Sequence, residues 1–177
     1  MNKNIVLLAA VSAIALAGSA NALEFRPYVG AQYNVTNVNY KGSPTDINMH
    51  SGSVFVGTEY NKYFGTEIFY QMSKDWSKVI DGNKVKADFD AYGLDAYGYL
   101  PLGCDQVFAP FVTAGIASYD FGKDVDDTGF GYRLGGGIQY HITNNIAVRV
   151  LGRYIWADKL DHMDHMSEFS AGIKYVF

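Results

Sequence analysis

The sequence predicts an all-β fold: an eight-stranded antiparallel up-and-down transmembrane β-barrel with short periplasmic turns and four longer external loops. Three observations lead there. The chain opens with a secretory leader, its later residues alternate between apolar and polar over eight segments, and the connections between those segments alternate in length.

The leader comes first in the chain. Lys3 precedes an uncharged apolar run from Ile5 to Leu16, and small residues then end in Ala20-Asn21-Ala22, an A-x-A cleavage pattern. The run is shorter than the about 20 apolar residues a spanning helix needs, so residues 1–22 are expected to be a signal peptide cut after Ala22. No cysteine follows the small residues, which argues against a lipid-anchored product. Residues 23–177 remain as one domain, and they contain no apolar stretch long enough to cross a bilayer as a helix.

Composition narrows the class further. Charged residues at 18% are too many for a bundle of membrane helices, and hydrophobic residues at 49% are too many for disorder. The 14 tyrosines and 19 glycines against 4 prolines suit strands. The formal charge of −4, more acidic once Lys3 is removed, argues against a nucleic-acid partner. Cys104 stands alone, so the fold holds without an internal disulfide.

The eight segments fall near 24–36, 51–61, 63–74, 87–100, 107–119, 128–142, 145–157 and 166–177. Each is about the length of a tilted strand crossing a bilayer. The first carries Arg26 inward and ends in the outer aromatic Tyr33. The second has Val56 at the centre of its oily stripe and Glu59 on the other face; the third has Ile68 against Glu67; the fourth, Leu94 against Asp95; the fifth, Ala114 against Gly115. In the sixth, Phe130, Tyr132, Leu134, Ile138, Tyr140 and Ile142 face away from Arg133, Gly135, Gly137 and Gln139. In the seventh, Ile146, Val148, Val150, Tyr154 and Trp156 oppose Arg149 and Arg153. The eighth sets Phe169, Ala171, Ile173, Tyr175 and Phe177 outward against Glu168, Ser170, Gly172 and Lys174.

A soluble sandwich also alternates. Aromatics gathered at the stripe ends favour the membrane. Tyr60, Phe64, Phe108, Tyr140 and Phe177 form one girdle, and Tyr33, Tyr70, Tyr92, Phe130, Tyr154, Trp156 and Phe169 the other. Short turns at Asn61-Lys62, 101–106 and Thr143-Asn144 mark the periplasmic side; polar stretches 38–50, 75–86, 120–127 and 158–165 mark the outside.

Eight strands close on an interior that side chains just fill. The inward charges Arg26, Glu59, Glu67, Asp95, Arg133, Arg149, Arg153, Glu168 and Lys174 are nearly balanced in sign, which suggests a structural ion-pair network. Inward Gly30, Gly57, Gly115, Gly135 and Gly137 leave room for the long arginines.

Several motifs carry a resemblance. Arg26-Pro27-Tyr28-Val29-Gly30 in the first strand is echoed by Ala109-Pro110-Phe111-Val112-Thr113-Ala114-Gly115 in the fifth. Gly65-Thr66-Glu67, Gly98-Tyr99-Leu100-Pro101-Leu102 and Gly172-Ile173-Lys174-Tyr175-Val176-Phe177 complete the set. With this order and spacing the chain resembles the small eight-stranded outer-membrane barrels, the group of the OmpA transmembrane domain, OmpX and Ail, and the opacity-type surface proteins. The resemblance implies a non-enzymatic protein of the cell outer membrane, acting as a structural component or through a surface ligand held by its loops. It implies outer-membrane lipid and lipopolysaccharide as surroundings, and the barrel assembly machinery and periplasmic chaperones as partners in biogenesis. Ile173, Tyr175 and Phe177 would then be the assembly signal.

Other chemistry is thinly represented. His165-Met166-Ser167 has the His-x-Ser spacing of a lipid A deacylase on this fold, but Glu168 falls on the opposite face and no second carboxylate follows as that enzyme requires. His162, His165 and His50 lack a closed four-ligand spacing, and the acidic stretch 120–127 lacks that of a calcium loop. Gly135-Gly136-Gly137 sits mid-strand without a following helix, so it is no phosphate loop. No catalytic, cofactor or metal site is therefore expected. A small pore for ions or small apolar molecules is the alternative function, and a lipid A-modifying enzyme a more distant one.

Overall fold

The computed structural model describes residues 25–40, 47–73, 76–80, 83–102, 107–123, 127–158 and 163–177. The expected signal peptide, Cys104, Asp124, Asp126 and His162 lie outside the described residues. The strands are β1 (Arg26–Tyr40), β2 (Ile47–Asn61), β3 (Phe64–Ser73), β4 (Trp76–Ile80), β5 (Asn83–Tyr99), β6 (Phe108–Lys123), β7 (Asp127–His141), β8 (Ile146–Asp158) and β9 (Met163–Val176). Every neighbouring pair is antiparallel.

The sheet closes on itself. β1 pairs with both β2 and β9, and β3 pairs with β5, so the sheet has no free edge along its length. β4 pairs with residues 83–87 of β5, next to the stretch 90–98 that pairs with β3. β3 and β4 thus share one stave, and the barrel has eight.

The strands run further outward than the alternation indicates. β1 continues to Tyr40, β2 starts at Ile47, β6 reaches Lys123 and β9 begins at Met163. Residues 76–80, as β4, and 83–86, as the start of β5, are strand within the stretch 75–86 expected as a loop, and Val38, expected in another, is buried on the inner face. The reason is physical. Alternation reports which face meets lipid, whereas the ladder needs only N–H and C=O partners, so pairing persists after the outward face turns polar.

The short turns are tied by side chains. Asn61 Oδ1 accepts hydrogen bonds from the backbone N–H of Tyr63 and Phe64 at 2.8 and 2.9 Å. Thr143 Oγ1 does the same for Asn145 and Ile146 at 3.3 and 3.0 Å. Both are local caps that fix a tight reversal and so set the register of the hairpin that follows.

The two faces divide as alternation requires. Val56, Leu94, Val112, Val150 and Ile173 are exposed on the outside, while Gln32, Asn34, Glu67 and Arg149 are buried within. Most girdle aromatics stand outward at the two ends; Tyr60 and Tyr92 are only half-exposed, and Tyr60 bonds Thr66 Oγ1 at 3.0 Å while stacking on Phe64. The interior has three levels. Val38, Met49, Phe89, Tyr119, Ile155 and Met166, one each from six staves, form an apolar layer at the outer end. Charges fill the middle, and Tyr97, Tyr99, Phe111 and Leu151 pack towards the turn end. Gly57 belongs to this fit, because a Cβ there would run into the ring of Tyr28 and the carbonyl of Thr66.

Candidate functional site

The charged interior is the site that the fold assembles. Arg149, the fourth residue of β8, reaches across to Glu67 on β3 with a two-pronged contact, Nη1–Oε2 at 2.7 Å and Nη2–Oε1 at 2.9 Å. Its Nη2 also donates to Gln32 Oε1 at 2.7 Å. Glu67 receives two more donors, the Tyr28 hydroxyl at 3.2 Å and the Tyr97 hydroxyl at 3.1 Å. The guanidinium lies 4.0 Å from the Phe55 ring centroid and 5.3 Å from that of Tyr97. Such stacking offsets part of the lost hydration of a buried cation.

Four residues further along β8, Arg153 bridges two carboxylates. Nη2 meets Asp95 Oδ2 at 2.9 Å and Nη1 meets Glu168 Oε1 at 3.0 Å. Arg133 on β7 approaches the same two acids at 3.8 and 3.4 Å and lies 4.0 Å from the Phe69 centroid. Glu168 is further held by Gln71 Nε2 at 2.8 Å and Thr36 Oγ1 at 3.2 Å. Nearer the turn end, Lys174 Nζ contacts Glu59 Oε1 at 2.5 Å and lies over the ring of Tyr28.

Four buried cations therefore face four buried carboxylates, a neutral interior among the described residues. A single unpaired charge in such a place costs several kcal/mol, so the pairing is a condition of folding. Arg26 shares the face of Glu59, its partner in the ladder, but lies at the barrel end and outside the buried network. As the first residue of β1 it sits at the mouth with its side chain 39% exposed, reaching Glu59 only at 3.8 Å.

Sequence reasoning passed over the inward aromatics Tyr28, Phe55, Phe69, Tyr97, Tyr99 and Phe111. Parity was the available signal: Phe69 lies two positions after Glu67, and Tyr97 and Tyr99 lie two and four after Asp95.

The other candidates are scattered. His50, expected in a loop, is part of β2, stacked on Tyr33 with Nδ1 2.7 Å from the Tyr33 hydroxyl. His165, also expected in a loop, is part of β9 and stacks on Tyr154. Ser167 is exposed outside while Glu168 is engaged by arginines inside. Among the described residues no three His, Cys, Asp or Glu side chains converge as metal ligands would.

Ile173, Tyr175 and Phe177 stand outward, with Tyr175 and Phe177 in edge-to-face contact at 5.3 Å. Phe177 N donates to the Pro27 carbonyl at 2.9 Å, and Val176 N to that of Asn145 at 2.7 Å, so the end of β9 is tied to both neighbouring staves.

An apolar exterior, a charged interior and a closed antiparallel sheet define a membrane-spanning β-barrel. The chain belongs to the outer membrane protein beta-barrel domain family, whose model matches residues 6–177. It is 27% identical over 195 residues to outer membrane protein A of Salmonella typhi, covering 93% of this chain and 53% of that protein, so it spans about half the length of that relative. Neisserial surface protein A has a similar fold, with TM-score 0.66, 19% identity, and 85% and 97% of the two chains covered. Ail of Yersinia pestis, solved with the heparin analogue sucrose octasulfate, gives a TM-score of 0.58 at 17% identity over 88% of this chain and 100% of that one. The chain is thus a small β-barrel protein of the outer membrane.

Proposed function

We propose that this barrel is a non-conducting, non-enzymatic anchor, serving as a structural part of the outer membrane and presenting its external segments to surface partners. The filled interior carries the reading. Paired charges occupy the middle, and the apolar layer of Val38, Met49, Phe89, Tyr119, Ile155 and Met166 lies across the outer end, where dry side chains oppose the passage of ions.

Charge indicates what the external segments would meet. Residues 38–50, 75–86, 120–127 and 158–165 hold ten aspartates against six lysines. A polyanion such as the one bound by Ail is therefore a poor match here; a cationic partner, or lipopolysaccharide bridged by divalent cations, suits these segments better. Residues 1–22 fit a cleaved signal peptide, and Ile173, Tyr175 and Phe177 on the closing strand fit a signal read by the barrel assembly machinery, with periplasmic chaperones upstream of it. The outward His165 and Ser167, set against the inward Glu168, support the absence of lipid A chemistry.

Single-channel recording from the protein in planar bilayers tests the reading. A silent bilayer is expected, and steady unitary currents would return the small-pore alternative. Lipid A masses from cells with and without the protein are expected to be the same, and a changed acyl pattern would make it an enzyme.

A further inference from the structure

Just beyond the outer girdle, the outward face divides into two unlike sectors. On β5 and β6 it carries Asp90 and Asp120, exposed and directly opposite each other in the ladder, with the hydroxyls of Tyr70 and Thr128 donating to them at 3.2 and 3.3 Å. An anionic headgroup is repelled there. On β2, β1, β9 and β8 the ladder instead sets Asn48, Asn37, Ser167 and Tyr154 side by side, a row without charge. Asn37 Nδ2 donates to Asn48 Oδ1 at 3.0 Å. The Tyr33–His50 stack borders this row on the β2 side and the Tyr154–His165 stack on the β8 side, so its flanks are preset.

Below the row, towards the middle of the barrel, the surface sinks. Ala31 and Tyr33 of β1 with Ala171 and Ile173 of β9 line an open recess of about 440 Å³. On the flanking staves Gly52 and Gly152 face outward with open space where a Cβ would stand, so the surface stays low on both sides. The same strands thus carry hydrogen-bonding groups at the outer level and an apolar dip deeper in the lipid-facing wall.

With the barrel an outer-membrane anchor, as proposed above, the row stands among the headgroups of the outer leaflet and the recess among its acyl chains. We propose that this sector seats one outer-leaflet glycolipid. Its sugar hydroxyls exchange hydrogen bonds with Asn37, Asn48 and Ser167, and one acyl chain lies over Ala31 and Ala171. Amide and hydroxyl side chains both donate and accept, which matches a sugar. The phosphodiester of a phospholipid only accepts and is best met by cations, and the row supplies none.

The full-length mature barrel is extracted from bilayers containing equal amounts of monophosphoryl lipid A and dimyristoylphosphatidylglycerol, two lipids with one phosphate each, and its retained lipids are counted by native mass spectrometry. One lipid A is expected to stay bound, severalfold more often than the phospholipid. Ala171→Phe, which fills the recess, and Asn37→Leu, which removes an amide from the row, should each lower that retention severalfold. Ser118→Leu, outward on β6, should leave it unchanged. All three positions face away from the interior ion pairs, so the fold is kept. Equal retention of the two lipids, retention of neither, Ala171 and Asn37 variants that behave like wild type, or an equal loss at Ser118 would each overturn the proposal. None of these outcomes touches the anchor itself, which falls only on unitary currents or altered lipid A.

Discussion

At Gly115 the inner face has no room for a methyl group. A Cβ there would collide with Asp95 Oδ1 and the Leu94 carbonyl, whereas at Gly152, which faces outward on β8, nothing lies within 4 Å. Gly115→Ala should therefore lower unfolding stability by about 1–3 kcal/mol, the usual range for overpacking, while Gly152→Ala stays within about 0.5 kcal/mol. Urea unfolding in lipid vesicles measures both, and equal effects would mean that the inner face is not packed as described. Charge gives a sharper contrast. Arg153→Met strips Asp95 of its 2.9 Å partner and Glu168 of a 3.0 Å one, leaving buried carboxylates short of compensation. Breaking such a pairing costs about 3–5 kcal/mol. At the mouth, with water at hand, Arg26→Gln should cost less than about 1 kcal/mol by the same measurement.

At the scale of the strand, β9 carries both kinds of information that the chain holds. Its alternation is legible in the sequence because lipid on one side and packed charge on the other demand opposite residues at successive positions, as at Lys174 and Tyr175. What lay beyond reading was which partner each charge meets. Arg149 and Glu67 are 82 positions apart, and only the closed register brings them together. Inward Tyr97 and outward Tyr132 are chemically alike, so aromatic type alone assigns no face. The strand ends were hidden as well, since the polar outer stretches of β1 and β5 pair through the backbone. For β9 itself, Phe177→Ala removes a 69% exposed ring from the outer surface and touches none of the interior pairs. Stability of the refolded protein should change little, while the fraction assembled in the membrane of growing cells falls severalfold. If assembly in cells is unchanged, the end of β9 is ordinary lipid-facing surface.

Across the whole molecule, outward side chains of every stave must share one medium, and the topology fixes which end faces which compartment. Leu94 stands outward on β5, opposite Ile68 near the middle of β3. Leu94→Arg should cost about 2–4 kcal/mol in a bilayer, and arginine at Thr128, near the outer end of β7, about 0–1 kcal/mol. The sidedness is tested by trypsin on intact cells. Eight staves return the chain to the side on which it entered, so the start of β1, the end of β9 and the turns at Lys62 and Thr143 lie together, with the other connections opposite. Trypsin should cut after Lys41, between β1 and β2, and after Lys159, between β8 and β9, while Lys62 is cut only once the outer membrane is opened. The arginines of the ion-pair network should resist in both states, because they are buried within the closed ladder. Cleavage after Lys62 in intact cells would invert the orientation and put the mouth at Arg26 on the cell surface.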